Sequence, residues 1–368
     1  MNKILVTGAS GFIAKNLIVR LNEENYDVIN IEREDDIAYL DEKIQDIDFI
    51  FHLAGTNRPK NIAEFKTGNA EFTLKLVKKL EVLGKSIPIL FTSSIQASQN
   101  NEYGRSKLEA EEHLLNLSKD YGNSVLIYRL PNVFGKWCKP NYNSVVATFC
   151  HNIANGLSIN INDKASKLEL VYIDDVIDTF IDNLNSSGKP TGYYDIKIKY
   201  HTTVGEVADI LRGFEKNRST LMVDSVGKGF IRALYSTYLS YLPIDKFSYE
   251  IPVYTDARGK FAEVLKTPEQ GQISFFTALP GVTRGGHYHH SKNEKFVVLS
   301  GTACFAFRNI ITNEFKEEII SSDEPRVVET IPGWAHNIKN IGSTELIVML
   351  WANEIFDREK PDTIPWEI

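Results

Sequence analysis

The sequence is poor in the residues that would tie a fold together covalently. Its 368 residues hold three cysteines, Cys138, Cys150 and Cys304, with no C-x-x-C pair, which argues against a disulfide framework and against a thiolate metal site. No apolar run approaches the length of a membrane span. A basic excess is missing too. Lys and Arg number 41 against 48 Asp and Glu, and the net charge of −7 leaves no surface that could release counterions from nucleic acid or an anionic membrane. Anionic ligands must therefore be met by local arginines. There is no internal repeat and no low-complexity tract, and the opening M-N-K-I-L-V-T-G enters a strand without an apolar leader. A reduced, cytoplasmic setting is expected. What the chain does have is 43% hydrophobic and 24% charged residues, enough apolar material for two soluble cores. The composition changes near Pro243, so the expected domains are 1–243 and 244–368.

Potential metal ligands are grouped in the second of these. His287 and His289 are two apart, so on a strand both imidazoles project from one face. Glu294 follows where a second strand after a short turn would bring its carboxylate back, and His336 lies in I-P-G-W-A-H-N-I-K-N. Three imidazoles and a carboxylate suit a divalent transition metal, Zn2+ first. Gly281 to Gly301 has the form G-x5-H-x-H-x4-E-x6-G, which resembles the first motif of the cupin barrels, and Gly333-x-x-His336-x-x-x-Asn340 resembles the second. Pro332 directly precedes Gly333, where cupins usually place one residue between them. From Phe247 onward, short alternating segments with turn signals fit an all-β barrel.

The N-terminal half carries different signals. Lys3 to Thr7 reads as a buried strand, followed by Gly8-x-x-Gly11-x-x-Ala14 and an apolar-periodic helix. Glycines at such a turn let the backbone approach a pyrophosphate at a helix N-terminus. The cofactor candidates are Gly8, Ser10, Gly11, Phe12 and Ile13, with Leu53, Ala54 and Gly55 after a later strand. Glu32 and Arg33, at the end of the second strand, are placed to read the ribose, Arg33 favouring the 2′-phosphate of NADP(H). Another strand ends at Ser93-Ser94, and Tyr103-Gly-Arg-Ser-Lys107 opens a helix that puts the phenol and the amine on one face. A phenol with a pKa of about 10 serves as an acid near neutrality only beside a cation.

This order of motifs resembles the extended branch of the short-chain dehydrogenase/reductase superfamily over about residues 1–240. The expected fold is thus an α/β Rossmann-like doubly wound parallel sheet followed by an all-β cupin barrel. The resemblance implies that Ser94, with Ser93 as a rival, and Tyr103 hold the substrate oxygen, that Tyr103 passes the proton, and that Lys107 also binds the nicotinamide ribose. It places Asn132 of N-V-F-G in the nucleotide-sugar grip. Asp174 and Asp175 read as helix caps. Beyond Phe247, Asp256-Ala-Arg258-Gly-Lys-Phe-Ala-Glu263 with G-V-T-R284-G resembles the sugar-nucleotide cupin epimerases, which makes Arg258, Glu263 and Arg284 substrate candidates.

A short-chain reductase joined to a cupin resembles the bifunctional capsular polysaccharide synthesis enzymes. The resemblance implies a UDP-sugar substrate, UDP-2-acetamido-2,6-dideoxy-4-hexulose, epimerised at carbon 3 by the cupin. The carbon 4 ketone would then be reduced with NADPH to UDP-N-acetyl-6-deoxy-L-talosamine, on the path to UDP-N-acetyl-L-fucosamine. It also implies a homodimer. The epimerisation base is open among His290, Lys292 and Tyr254, and the metal could be structural. The alternatives are a reductase of another nucleotide 4-keto-6-deoxysugar with a structural cupin, a non-catalytic NADP sensor, and an iron cupin oxygenase.

Overall fold

The structure, a computed structural model, describes residues 3–32, 44–184 and 188–368. The chain separates into two compact units, Met1–Arg212 with Gly229–Pro243, and Gly213–Lys228 with Ile244–Ile368.

The first unit is built on a parallel sheet. Its strands are β1 (Lys3–Thr7), β2 (Asp27–Ile31), β3 (Phe49–His52), β4 (Ile89–Ser94), β5 (Val125–Leu130) and β8 (Gly192–Tyr194), in the order β2-β1-β3-β4-β5-β8. β3, β4 and β5 are buried along almost their whole length, as strands covered on both faces must be. Helices α1 (Phe12–Glu23), α2 (Phe72–Leu83) and α3 (Glu102–Tyr121) connect them. Leu5, Ile50, Phe91 and Ile127 of the sheet pack with Leu76, Leu80 and Leu114 of α2 and α3. Each such side chain contributes roughly 1.5–3 kcal/mol by leaving water. From β1 the chain steps first to β2 on one side and then to β3 on the other. The crevice beyond the carboxyl ends of β1 and β3 is where an open sheet of this kind binds ligands. A smaller sheet, β6 (Asn132–Phe134), β7 (Lys167–Tyr172) and β9 (Tyr200–Thr203), follows in the same unit.

The helix Gly229–Leu239 belongs to this unit, with Tyr238 buried, and just beyond it the Tyr241 hydroxyl donates to the Cys138 carbonyl. A further helix runs from Val204 to Thr220. Thr203 and Glu206 start it with reciprocal side-chain-to-backbone bonds of 2.9 and 3.2 Å. It stops only at Leu221, whose φ is 59°.

The second unit has two antiparallel sheets. One contains β10 (Val253–Asp256), β11 (Gly259–Thr267), β12 (Gly271–Ala278), β14 (Glu294–Ser300), β17 (Val327–Glu329) and β19 (Leu346–Ala352), in the order β10-β11-β12-β19-β14-β17. The other, in the order β16-β15-β18-β13-β20, is formed by β13 (Thr283–Tyr288), β15 (Thr302–Asn309), β16 (Phe315–Ser321), β18 (Trp334–Asn340) and β20 (Ile364–Pro365). Phe276, Phe296 and Val348 of the first sheet close on Phe305 and Ile338 of the second. This is the cupin-like, β-rich half anticipated above.

Candidate active sites

The glycine turn after β1 has the backbone geometry its motif calls for. Gly8 has a φ of +69°, and a Cβ there would lie 2.7 Å from the Ala54 Cα, so only glycine lets the β1 and β3 ends meet. Gly11 precedes α1, whose N-terminus carries no side-chain cap and no acidic residue in its first turn. Its free N–H groups and dipole suit an anion. Ser10 and Gly11 are exposed, Phe12 and Ile13 half-buried. Leu53 and Ala54 are half-buried and Gly55 exposed at the end of β3, beside this turn. The Ser10 N–H donates to the Glu32 carboxylate at 3.1 Å, so the ribose-reading position lies against the turn. Arg33 falls outside the described residues. The dinucleotide that the motif implies fits these residues.

His52, unnoticed in the sequence as a functional residue, fastens this edge from beneath. It is fully buried, bonded to Thr7 Oγ1 and Thr73 Oγ1 at 2.8 Å each. Burial, reinforced by the Lys107 charge, lowers its pKa to about 3, so the ring is neutral. Thr7 Oγ1 also accepts from the Ala54 N–H at 3.2 Å. Asn69, in a widened π-helical turn (Lys66–Glu71) ahead of α2, holds Thr56 through both backbone groups and Ser106 through its hydroxyl. A side chain at Gly55 would crowd Asn69 Oδ1 at 3.1 Å and touch Lys107 Nζ at 3.4 Å.

Ser94, Tyr103 and Lys107 converge where β4 hands over to α3. Tyr103 is hydrogen-bonded to Ser94, which partly offsets the burial that raises its pKa. Its ring leans on Phe65 at 5.6 Å. Lys107, four residues on, is buried, donates to the Thr92 carbonyl at 2.7 Å and lies over the Phe91 ring. Burial brings its pKa down to about 8, against the pull of Glu111 one helical turn further. Ser93 is committed elsewhere, because its hydroxyl donates to Glu111. Of the two serines, Ser94 is the one that bonds to Tyr103.

Glu111 is wholly buried and also bridges Arg129, through two bonds of 3.0 and 2.6 Å, and the Tyr193 hydroxyl. Two signals for it were present in the sequence: its place on the Lys107 face of the helix, and Arg129 as the one charge in the apolar run V-L-I-Y-R-L. Removing one member of such a network leaves the others unpaired. Glu111→Ala is expected to lower the unfolding free energy of the first unit by about 3 kcal/mol, read as a shifted urea midpoint. Glu111→Gln, which keeps an acceptor for Ser93, should lose less.

Asn132 is exposed at the start of β6. Asp174 pairs with Lys136, and Asp175 accepts from the Tyr200 hydroxyl at 3.4 Å, both in the first turn of the helix Ile173–Leu184. Cys138 is half-buried, and burial pushes its thiol up.

In the second unit the four predicted ligands do come together. His287 and His336 are register partners across β13 and β18, His289 follows on, and Glu294 opens β14. One ligand atom from each lies within 4.8 Å of all the others, and three of the four residues are buried. Glu294 Oε2 is 3.3 Å from His289 Nε2 and 3.5 Å from His336 Nε2. Burial, followed by the neighbouring His336 and His289, lowers the His287 pKa to about 4. Burial pushes the Glu294 carboxyl up, but the adjoining His289 and His336 rings and the Lys292 charge outweigh it and keep the group ionised. A neutral His287 and an ionised Glu294 are the forms in which these two residues can ligate a metal. His336 Nδ1 is buried with no hydrogen-bond partner among the described residues. Its Nε2 is the nitrogen that faces Glu294, on the ligand side of the ring. The donor set fits a zinc-type ion.

Arg258 and Arg284 also converge, on Asp256. Arg258 binds it through Nε at 3.0 Å and Nη2 at 2.6 Å, while Arg284 approaches to 4.0 Å. The Arg258 bonds lower the Asp256 pKa to about 2. Glu263 is not part of this group and pairs with Lys266 at 2.7 Å. Of the base candidates, Lys292 is buried, 3.2 Å from Glu294 and over the Phe356 ring. His290 is exposed, its ring edge-on to Tyr288, and Tyr254 is exposed beside Arg358. Neither joins the histidine cluster. No helix among the described residues is long and apolar enough to cross a membrane.

Residues 4–196 match the NAD dependent epimerase/dehydratase family, and residues 254–364 match the polysaccharide biosynthesis C-terminal domain. A UDP-2-acetamido-2,6-beta-L-arabino-hexul-4-ose reductase of Pseudomonas aeruginosa is 53% identical over 362 residues, spanning 98% of this chain and 97% of its own. The crystal structure of the capsular polysaccharide assembling protein CapF from Staphylococcus aureus matches with a TM-score of 0.93 at 41% identity, covering 100% of both chains. A UDP-glucose 4-epimerase from Thermotoga maritima, 19% identical with a TM-score of 0.55 over 65% of this chain and 98% of its own, shares the fold.

Proposed function

The chain belongs to the NAD dependent epimerase/dehydratase family, and from that premise we propose a bifunctional nucleotide-sugar enzyme of capsule polysaccharide synthesis. In this reading the cupin, residues 244–368, inverts carbon 3 of UDP-2-acetamido-2,6-dideoxy-4-hexulose. The reductase domain, residues 1–243, then reduces the carbon 4 ketone with NADPH to UDP-N-acetyl-6-deoxy-L-talosamine. The full-length likeness to a UDP-sugar 4-keto reductase supports the substrate class. The observation that carries the two-step reading is the coexistence of the Ser94–Tyr103–Lys107 group with a second, metal-competent cluster in a separate barrel.

A bound nicotinamide supplies the hydride. The chain's own part in that step is the proton: Ser94 holds the carbonyl oxygen, Tyr103 donates to it, and Lys107 keeps positive charge nearby. For the first step, a divalent ion held by His287, His289, Glu294 and His336 would supply the charge that makes a hydrogen beside a ketone acidic. Arg258 and Arg284 are positioned to meet a diphosphate, guanidinium forks being suited to phosphate oxygens. Lys292 is the base candidate nearest the cluster. Removal of the carbon 3 proton from one face and its return on the other inverts the centre. Reduction then traps the product, because an alcohol at carbon 4 no longer acidifies carbon 3.

Coenzyme choice tests the first domain. With Glu32 bonded to the Ser10 N–H, we assign the 2′-phosphate to Arg33. Loss of a charge-assisted contact costs about 1.5–3 kcal/mol, so Arg33→Ala is expected to raise the KM for NADPH by roughly tenfold or more and leave that for NADH unchanged. Initial rates with the two coenzymes decide it, and an unchanged preference removes Arg33 from the role. The cytoplasmic homodimer implied by the resemblance is checked by light scattering.

A further inference from the structure

Between His289 and Glu294 the chain crosses a short connection, 290–293, and the backbone of that connection is held by a segment from outside both ligand motifs. The Asp362 carboxylate accepts from three consecutive N–H groups, His290 through Oδ1 and Ser291 and Lys292 through Oδ2, at 2.8 Å each. It also accepts from the Ser291 hydroxyl at 3.1 Å. The fourth N–H, of Asn293, goes to Asn353 Oδ1 at 3.0 Å. Asp362 further contributes its backbone carbonyl, which accepts from His289 Nδ1. Two residues on, β20 pairs with β13 through Ile364 with Tyr288 and Pro365 with His287. The C-terminal segment is thus fastened to the ligand strand on one side and wrapped by the ligand loop on the other.

From this geometry we infer that Asp362 is the positioning residue of the metal centre: it sets the loop conformation that brings Glu294 to the histidines and fixes the His289 tautomer. A ring that donates from Nδ1 presents the Nε2 lone pair, and His289 Nε2 is the nitrogen facing Glu294. Three N–H groups converging on one carboxylate form an anion nest, so the loop has a defined shape before any ion arrives. This inference rests on the metal reading of the cluster.

The test uses metal-free, full-length protein titrated with Zn2+ in competition with a chromophoric chelator and, separately, with Co2+ followed by its visible absorption. Asp362→Ala is expected to bind Zn2+ about 10–100-fold more weakly and to change the Co2+ spectrum. Asp362→Asn, which keeps one of the two oxygen acceptors, should recover part of the affinity, and it serves as the readable variant if the alanine protein fails to fold. Asp357→Ala, an acid removed from the same tail segment, should behave as wild type. Wild-type affinity and spectrum in Asp362→Ala, or in Asp362→Asn with no loss at all when the alanine variant is unfolded, would overturn the clamp alone. If the wild type itself takes up neither ion, the metal reading fails first and the clamp with it.

Discussion

Tyr103→Phe is expected to slow ketone reduction by about 10²–10⁴-fold, the range a positioned proton donor supplies, while NADPH binding changes little. The variant removes one oxygen. The ring keeps its contact with Phe65, so the hydroxyl's bond to Ser94 is the native interaction lost. Burial raises the Tyr103 pKa against the opposing bond to Ser94, which keeps the phenol protonated near neutrality, and the Lys107 cation is what favours transfer of that proton. Lys107 sets the pH limit. Its folded pKa is lowered to about 8 from the ordinary lysine value, so it loses its charge as pH rises through about 8. The kcat/KM for reduction in the wild type should decline across that window. The same shift has a stability sign: between about 8 and the unfolded lysine value the unfolded chain binds more protons, so stability rises with pH there. Stopped-flow rates with nicotinamide fluorescence separate binding from reduction. A residual rate within tenfold of wild type would remove Tyr103 from the acid role.

His336→Ala should abolish the other activity and spare this one. His336 is buried on β18, between Glu294 and the rings of Phe296 and Phe307. Its loss takes one of three imidazoles from the centre, and Lewis-acid stabilisation is worth several kcal/mol. Exchange at carbon 3 is expected to fall on the order of 10²–10⁴-fold, with metal content falling alongside it. Reduction of a ketone already epimerised at carbon 3 should proceed at the wild-type rate. Metal analysis and exchange assays read the two effects. Retention of both metal and exchange would place the chemistry elsewhere in the barrel.

Local patterns carried much of this site into view from the sequence alone. His287 and His289 could be paired because a strand repeats every two residues, and Tyr103 and Lys107 because a helix returns at four. The glycine turn was readable from its place after a buried strand. The supports were harder to see because they reach across the fold. His52 binds Thr7 and Thr73 from separate elements, and Glu111 joins residues of β4, β5 and β8. Asp362 acts across some seventy positions of sequence on the loop after His289. No periodicity encodes such contacts. Arg258 and Glu263 stood in one motif, yet the first, in the turn between β10 and β11, goes to Asp256 with Arg284 and the second, on β11 at a bulge, to Lys266. His290 likewise parts from its neighbours, its ring lying against Tyr288.

The most direct test of two chemistries on one chain is NMR of the 4-keto UDP-sugar in deuterated water with enzyme, first without NADPH and then with it. The account predicts deuterium at carbon 3 without coenzyme, followed by loss of the ketone only when NADPH is added. Ketone reduction without any prior exchange at carbon 3 would contradict it, leaving a reductase whose barrel takes no part in epimerisation.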